Sequence, residues 1–302
     1  MRRARGSLRP TGAIIAHAIE LDSGGGAYCF RFCRRVQKST PEKDKKHTRE
    51  RRRLSRDGAL DPKGKVALLT GGARIGQIVA HALAARGCAL ALTYRGSRAA
   101  ADATAAGARA MNVSATVIRA DATNEADVRA AVDGAARSLG RLDILINMAS
   151  IYVKTPNPTA ADWSSALDAT AKSTFLFSTH AAPIMKASGA GRIVNISDWL
   201  PASGRPRYKG FIPYYVSKAA VVALTQSLAL ELAPEILVNA IAPGPILAPP
   251  NLSAEENAKT VEDTPLSRWG GAEEIVKAVL FLIETDFVTG ECIRVDGGRH
   301  LY

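Results

Sequence analysis

Cysteine is scarce in this chain. Its 302 residues include four, Cys29, Cys33, Cys88 and Cys292, and no Cys-x-x-Cys pair. Cys29 and Cys33 have no second pair or His cluster to complete a zinc or redox site, so no metal is expected. The other two sit in apolar runs that suit small buried thiols, and a reducing, cytoplasmic setting follows. Also missing is an apolar stretch of the roughly 20 residues needed to span a bilayer. The segment 13–21 is short and is interrupted by His17 and Glu20, so a soluble chain without a membrane partner is expected.

The folded part also lacks a charge excess. The net charge is +12, but residues 1–60 hold 16 Lys and Arg against 6 Asp and Glu, which leaves about +2 for the rest. A basic patch on a folded domain is therefore not implied. Nucleic-acid or membrane-surface contact would have to come from the run between Arg31 and Arg56, which has few apolar residues and no helical or strand period. Such a run buries too little surface to offset chain entropy. It reads as a disordered extension, or as a start placed too far upstream. The expected organisation is a basic extension over 1–60 and one catalytic domain over 61–302.

After Asp61-Pro62, short Leu-rich or β-branched runs alternate with Ala-rich amphipathic segments, the pattern of a parallel sheet covered on both faces. Strands are predicted at 66–70, 89–94, 115–120, 143–147, 192–197, 237–241 and 292–295. Helices are predicted near 75–86, 97–109, 125–139, 161–187, 213–232 and 272–284. This is an α/β chain with a Rossmann-like, doubly wound sheet of seven parallel strands, in which ligands bind beyond the carboxyl ends of the strands.

The first strand runs into Thr70-Gly71-Gly72-Ala73-Arg74-Ile75-Gly76 and then a helix. There backbone N–H groups and the positive helix end can meet a pyrophosphate, and glycine allows the close approach. The second strand ends in Thr93-Tyr94-Arg95-Gly96, without the carboxylate that would bond the ribose hydroxyls of NAD. Arg95, together with Arg74, can pair instead with a 2′-phosphate, which points to NADP(H). Asp121-Ala122 follows the third strand and is placed at the adenine.

These segments, with Asn147-Met148-Ala149-Ser150, Tyr214-x-x-x-Lys218, Pro243-Gly244 and Val295-Asp296-Gly297-Gly298, resemble the short-chain dehydrogenase/reductases over nearly all of residues 63–300. The resemblance implies that Tyr214 donates a proton, that Lys218 holds the ribose hydroxyls, and that Asn147, Ala149, Ser150, Pro243 and Gly244 lie along the cofactor. It also implies a homodimer or homotetramer built on the apolar helix that carries Tyr214. Tyr214 and Lys218, four apart on a helix, face the same way, and a neighbouring ammonium is expected to lower the tyrosine pKa.

The departures are specific. The phosphate loop is one residue shorter than the family's, Ser150 stands where the family has Gly, and Thr170 occupies the place of a supporting Asn. The family's catalytic Ser falls in Asn195-Ile196-Ser197-Asp198-Trp199, where either Asp198 or Ser197 can take the role. An aspartate there resembles the pteridine reductases, as do Arg74, Ser150 and Tyr152. Residues 200–213 form a segment longer than usual, and Tyr152, Trp199 and Tyr208 are expected to line the substrate mouth. The stretch 246–264 is expected to be a mobile lid. A pterin-like substrate heads the expectations, with a 3-oxoacyl thioester or small ketone, or a cofactor-binding regulatory protein, as the alternatives.

Overall fold

The computed structural model describes residues 59–71 and 74–301. The basic run, Cys29, Cys33 and Gly72 lie outside the described residues. Seven strands form one parallel sheet: β1 (Val66–Thr70), β2 (Ala89–Tyr94), β3 (Ala115–Arg119), β4 (Ile144–Asn147), β5 (Gly191–Ile196), β6 (Ile236–Pro243) and β7 (Cys292–Val295). Their order is β3-β2-β1-β4-β5-β6-β7. The winding reverses between β1 and β4, where Thr70 pairs in register with Asn147. A cleft therefore opens past those two residues, as the doubly wound reading requires.

Alternation along the strands fixes which helices cover which face. Ala67, Leu69, Leu90, Ile144 and Ile146 pack with Val79 and Leu83 of α1 (Ile75–Ala85) and Val279 and Leu282 of α9 (Ala272–Glu284). Val66, Leu68, Leu145 and Ile193 point the opposite way, onto Val128 and Val132 of α3 (Glu125–Leu139) and Phe177 and Met185 of α5 (Ser173–Ala187). Each fully buried Leu, Ile or Phe contributes about 1.5–3 kcal/mol, so both faces are strongly specified. Asp143, buried just before β4, locks the register of the two central strands. Its Oδ2 accepts from Val66 N at 3.0 Å, and Arg141 donates to both carboxylate oxygens at 2.6 and 2.8 Å.

Three local expectations change. The predicted helix over 161–187 is broken into α4 (Ala160–Leu167), a π-helical turn (Asp168–Lys172) and α5. Residues 200–213 are not all loop, because Asp198 caps the short helix α6 (Trp199–Ser203), which Gly204 ends at φ +67°. The 246–264 stretch contains α8 (Ala254–Glu262), started by a reciprocal Ser253–Glu256 capping box. Completing the set are α2 (Arg98–Ala110) and α7 (Ile212–Leu232), the latter opened by Pro213 in its first turn. Among the described residues no helix is long and apolar enough to cross a membrane.

Candidate active site

Thr70 ties the loops after β1 and β4 together, its Oγ1 accepting from Met148 N at 3.1 Å and Ala149 N at 3.3 Å. Gly71 has φ +66°, and a Cβ there would stand 3.2 Å from Ala149 Cα, so the turn requires glycine. Ile75 opens α1 and leans on the core, while Gly76 is buried. Beyond this turn a cavity of about 180 Å³ is lined by Gly71, Tyr94, Arg95, Asp121, Ala122, Ala149 and Ser150. An adjoining cavity of about 370 Å³ is lined by Gly76, Tyr94, Arg95 and Ser97. Together they make a groove sized for a dinucleotide's adenosine half, with Arg95 in both parts.

Two expectations shift here. Arg74 does not join Arg95; its guanidinium reaches across the cleft to Ala248 O at 2.9 Å, tying the phosphate loop to the base of the lid. Asn147 faces inward and donates to Ser178 Oγ at 3.1 Å and Asn195 Oδ1 at 2.9 Å, so its side chain braces the sheet. Asp121 keeps its place, and Thr123 bonds one carboxylate oxygen twice and holds that carboxyl below the usual aspartate range. Sequence reasoning missed Ser97. It stands at the N-cap of α2 with no side-chain cap bond, so its hydroxyl is available to the groove.

At the chemical end, Tyr214 donates from its hydroxyl to Asp198 Oδ2 at 2.7 Å, while Asp198 Oδ1 accepts from Leu200 N at 2.8 Å. Asp198 thus both caps α6 and contacts the phenol. Ser197 is turned away, its hydroxyl donating to Lys218 O at 2.9 Å. Lys218 is buried and donates to Ile196 O at 2.8 Å. Burial is the largest influence on all three groups. It raises Asp198 above the usual aspartate range and lowers Lys218 to about 8.

The phenol behaves opposite to expectation: Tyr214 is raised rather than lowered, first by burial and then by the charge and hydrogen bond of Asp198. The charge that acts on the phenol is that of the Asp198 carboxylate in direct contact, and it adds to the effect of burial. Thr170 lies in the π-helical turn, buried, with its hydroxyl oxygen unpartnered. Pro243 ends β6 and Gly244 N bonds Val295 O at 2.9 Å, and a Cβ on Gly244 would strike Asp296 at 2.5 Å.

Above Tyr214 sits an aromatic wall. Tyr152 meets Tyr214 edge-on at 4.9 Å and stacks on Phe211 at 5.0 Å, with Tyr208 6.4 Å from Phe211. Tyr152 and Tyr208 are exposed. Trp199 is not: it is buried, with the guanidinium carbons of Arg207 and Arg299 5.5 and 5.9 Å from its ring centre. A further cavity of about 470 Å³ beside Pro245 and Asp296 is lined by none of Asp198, Tyr214 or Lys218.

Residues 72–300 match the family model described as enoyl-(acyl carrier protein) reductase. The chain is also 32% identical to a short-chain dehydrogenase from Burkholderia cenocepacia, solved in complex with NADP, at a TM-score of 0.73 over 79% of this chain and 99% of that one. The chain belongs to the short-chain dehydrogenase/reductase family. Within it, a ketoacyl reductase assigned to the granaticin polyketide synthase of Streptomyces violaceoruber is 36% identical over 250 residues, 80% of this chain and 98% of that protein. The 3-oxoacyl-[acyl-carrier-protein] reductase FabG of Staphylococcus aureus is 34% identical over 245 residues, 78% of this chain and 98% of that one. The pteridine-reductase branch expected from the sequence is not shown by these relatives, which are ketoacyl reductases and favour the carbonyl alternative.

Proposed function

We propose that the chain is an NADPH-dependent reductase of a polar double bond, with the keto group of a 3-oxoacyl thioester or small ketone as the leading substrate. The two ketoacyl reductase relatives support that class. The observation that carries the reaction type is the contact of Tyr214 with Asp198 beside buried Lys218, at the strand ends that face the groove. Arg95, Ser97, Asp121 and Ala122 hold the adenosine half, and Ala149, Ser150, Lys218 and Pro243-Gly244 the remainder. When bound, the nicotinamide supplies the hydride.

The protein's own part is the proton. Burial lets Asp198 hold a proton more readily than an ordinary aspartate. Tyr214 passes its phenolic hydrogen to the substrate heteroatom, and Asp198, its hydrogen-bond partner, is the group through which the phenol regains a proton. The Lys218 ammonium favours the negative charge left on the phenol. Both effects act in one direction: kcat/KM falls as pH rises, with its last decline near 8 as Lys218 loses its proton. A profile flat from pH 7 to 9 would remove Lys218 from the mechanism.

A second reading rests on Asp198 itself. A carboxyl in contact with Tyr214 can relay a proton through the phenol to a ring nitrogen of a C=N bond, and the Tyr152 ring offers a face to a flat heterocycle such as a pterin. NADPH oxidation with an acetoacetyl thioester and with dihydrobiopterin separates the two, and turnover of only one substrate decides between them. Arg95→Ala should lower kcat/KM for NADPH ten- to a hundredfold through loss of a charged hydrogen bond worth about 1.5–3 kcal/mol, and leave NADH use nearly unchanged. Equal losses with both cofactors would dismiss the 2′-phosphate assignment.

A further inference from the structure

The segment between Asp198 and Tyr214 carries charge of one sign only. Residues 200–213 include Arg205, Arg207 and Lys209 and no Asp or Glu. All three are exposed, and none forms an ion pair among the described residues. The segment is anchored rather than free: Thr155 N donates to Gly210 O, and the stem of Lys154 lies against Gly210, where a Cβ would meet its Cγ at 3.4 Å. Lys154 therefore adds a fourth cation to the same rim. The acid nearby is Glu256 on α8, which feels Lys154, yet its carboxylate is occupied by the N–H and hydroxyl of Ser253.

This rim adjoins the reacting end. Phe211, two residues past Lys209, stacks on Tyr152, whose ring is 4.9 Å from that of Tyr214. A substrate with its double bond at Tyr214 and its body along Tyr152 and Phe211 runs toward the segment that carries Arg205, Arg207 and Lys209. Cations without a carboxylate partner at such a place are complementary to an oxyanion, and Arg207, 5.5 Å from the Trp199 ring, keeps its charge unneutralised there. Resting on the reductase reading above, we infer that the natural substrate bears an anionic group, a phosphate or carboxylate, distal to the bond reduced and held by this rim. Two sources fit: the phosphates of a pantetheine-type thioester, or the carboxylates of a side chain on a heterocycle.

The test uses full-length protein and two substrate pairs matched at the reacting bond. Acetoacetyl-coenzyme A is compared with the N-acetylcysteamine thioester, which lacks phosphate, and dihydrofolate with dihydrobiopterin, which lacks carboxylate. In one pair kcat/KM should favour the anionic member about tenfold at low salt, from several exposed ion pairs acting together. That preference should fall toward one in R205E/K209E and at high salt. The pair showing it identifies the source, and the uncharged member checks that the variant still folds and turns over. A ratio near one in the parent, or one that the variant leaves unchanged, overturns the inference alone. No turnover of any member overturns the reductase reading and the inference with it.

Discussion

Replacing Tyr214 with Phe lowers kcat about a thousandfold and leaves NADPH binding intact. The size follows from the role: proton transfer by a positioned side chain contributes about 10²–10⁴. Phe keeps the ring, which is nearly buried and packed edge-on against Tyr152, so the loss isolates one hydroxyl. Steady-state turnover measures the first effect and NADPH fluorescence titration the second. Retention of more than a tenth of the activity would mean that another group supplies the proton. Loss of binding as well would mean that Tyr214 shapes the cofactor groove.

The second large effect is at Asp198, where two roles must be separated. Asp198→Ala removes the partner of the Tyr214 hydroxyl and also the cap on Leu200 N. The cap accounts for about 1 kcal/mol of stability, seen as a lower melting temperature. The lost phenol contact should cost about a hundredfold in kcat/KM. Asp198→Ser retains an oxygen for the cap and a hydroxyl for the phenol, so it should restore most of the stability and most of the ketone turnover. If the Ser variant regains stability but no activity with any substrate, the carboxyl itself is needed, which favours the C=N reading. If Ala is as active as the parent, Asp198 is only a cap.

The sheet was legible because each strand is a short apolar run whose two faces are both buried. Seven predicted strands match the seven found to within one or two residues at most ends. The helix over 160–187 was harder to read, because nothing in Asp168-Ala169-Thr170 marks the extra residue of a π turn. The Ser253-x-x-Glu256 signature did announce α8, but it was hidden inside a stretch read as a lid. At the site, Tyr214 and Lys218 follow from spacing along a helix, whereas Asp198, with Ser197 as its alternative, was implied by the resemblance to the family; the structure bonds Tyr214 to Asp198 and turns Ser197 away.

What spacing does not carry is the direction of side chains and the cost of burial. Arg74 turns to Ala248, Asn147 turns inward and Trp199 is buried. The tyrosine pKa moves up instead of down because the phenol is buried first of all, and then because the carboxylate of Asp198 is its charged partner. Ser97 was overlooked because a serine before a helix reads first as a cap, and only the absent cap bond releases it for the groove.

The account stands on Tyr214 and Asp198 acting as one proton-donating unit, and a double-mutant cycle on kcat/KM measures that directly. Tyr214→Phe, Asp198→Ala and the double variant are compared at one pH with saturating NADPH. The account predicts strong non-additivity: once Tyr214 is Phe, removing the Asp198 carboxyl costs less than about threefold more. Independent losses that multiply, a thousandfold by a hundredfold, would contradict it.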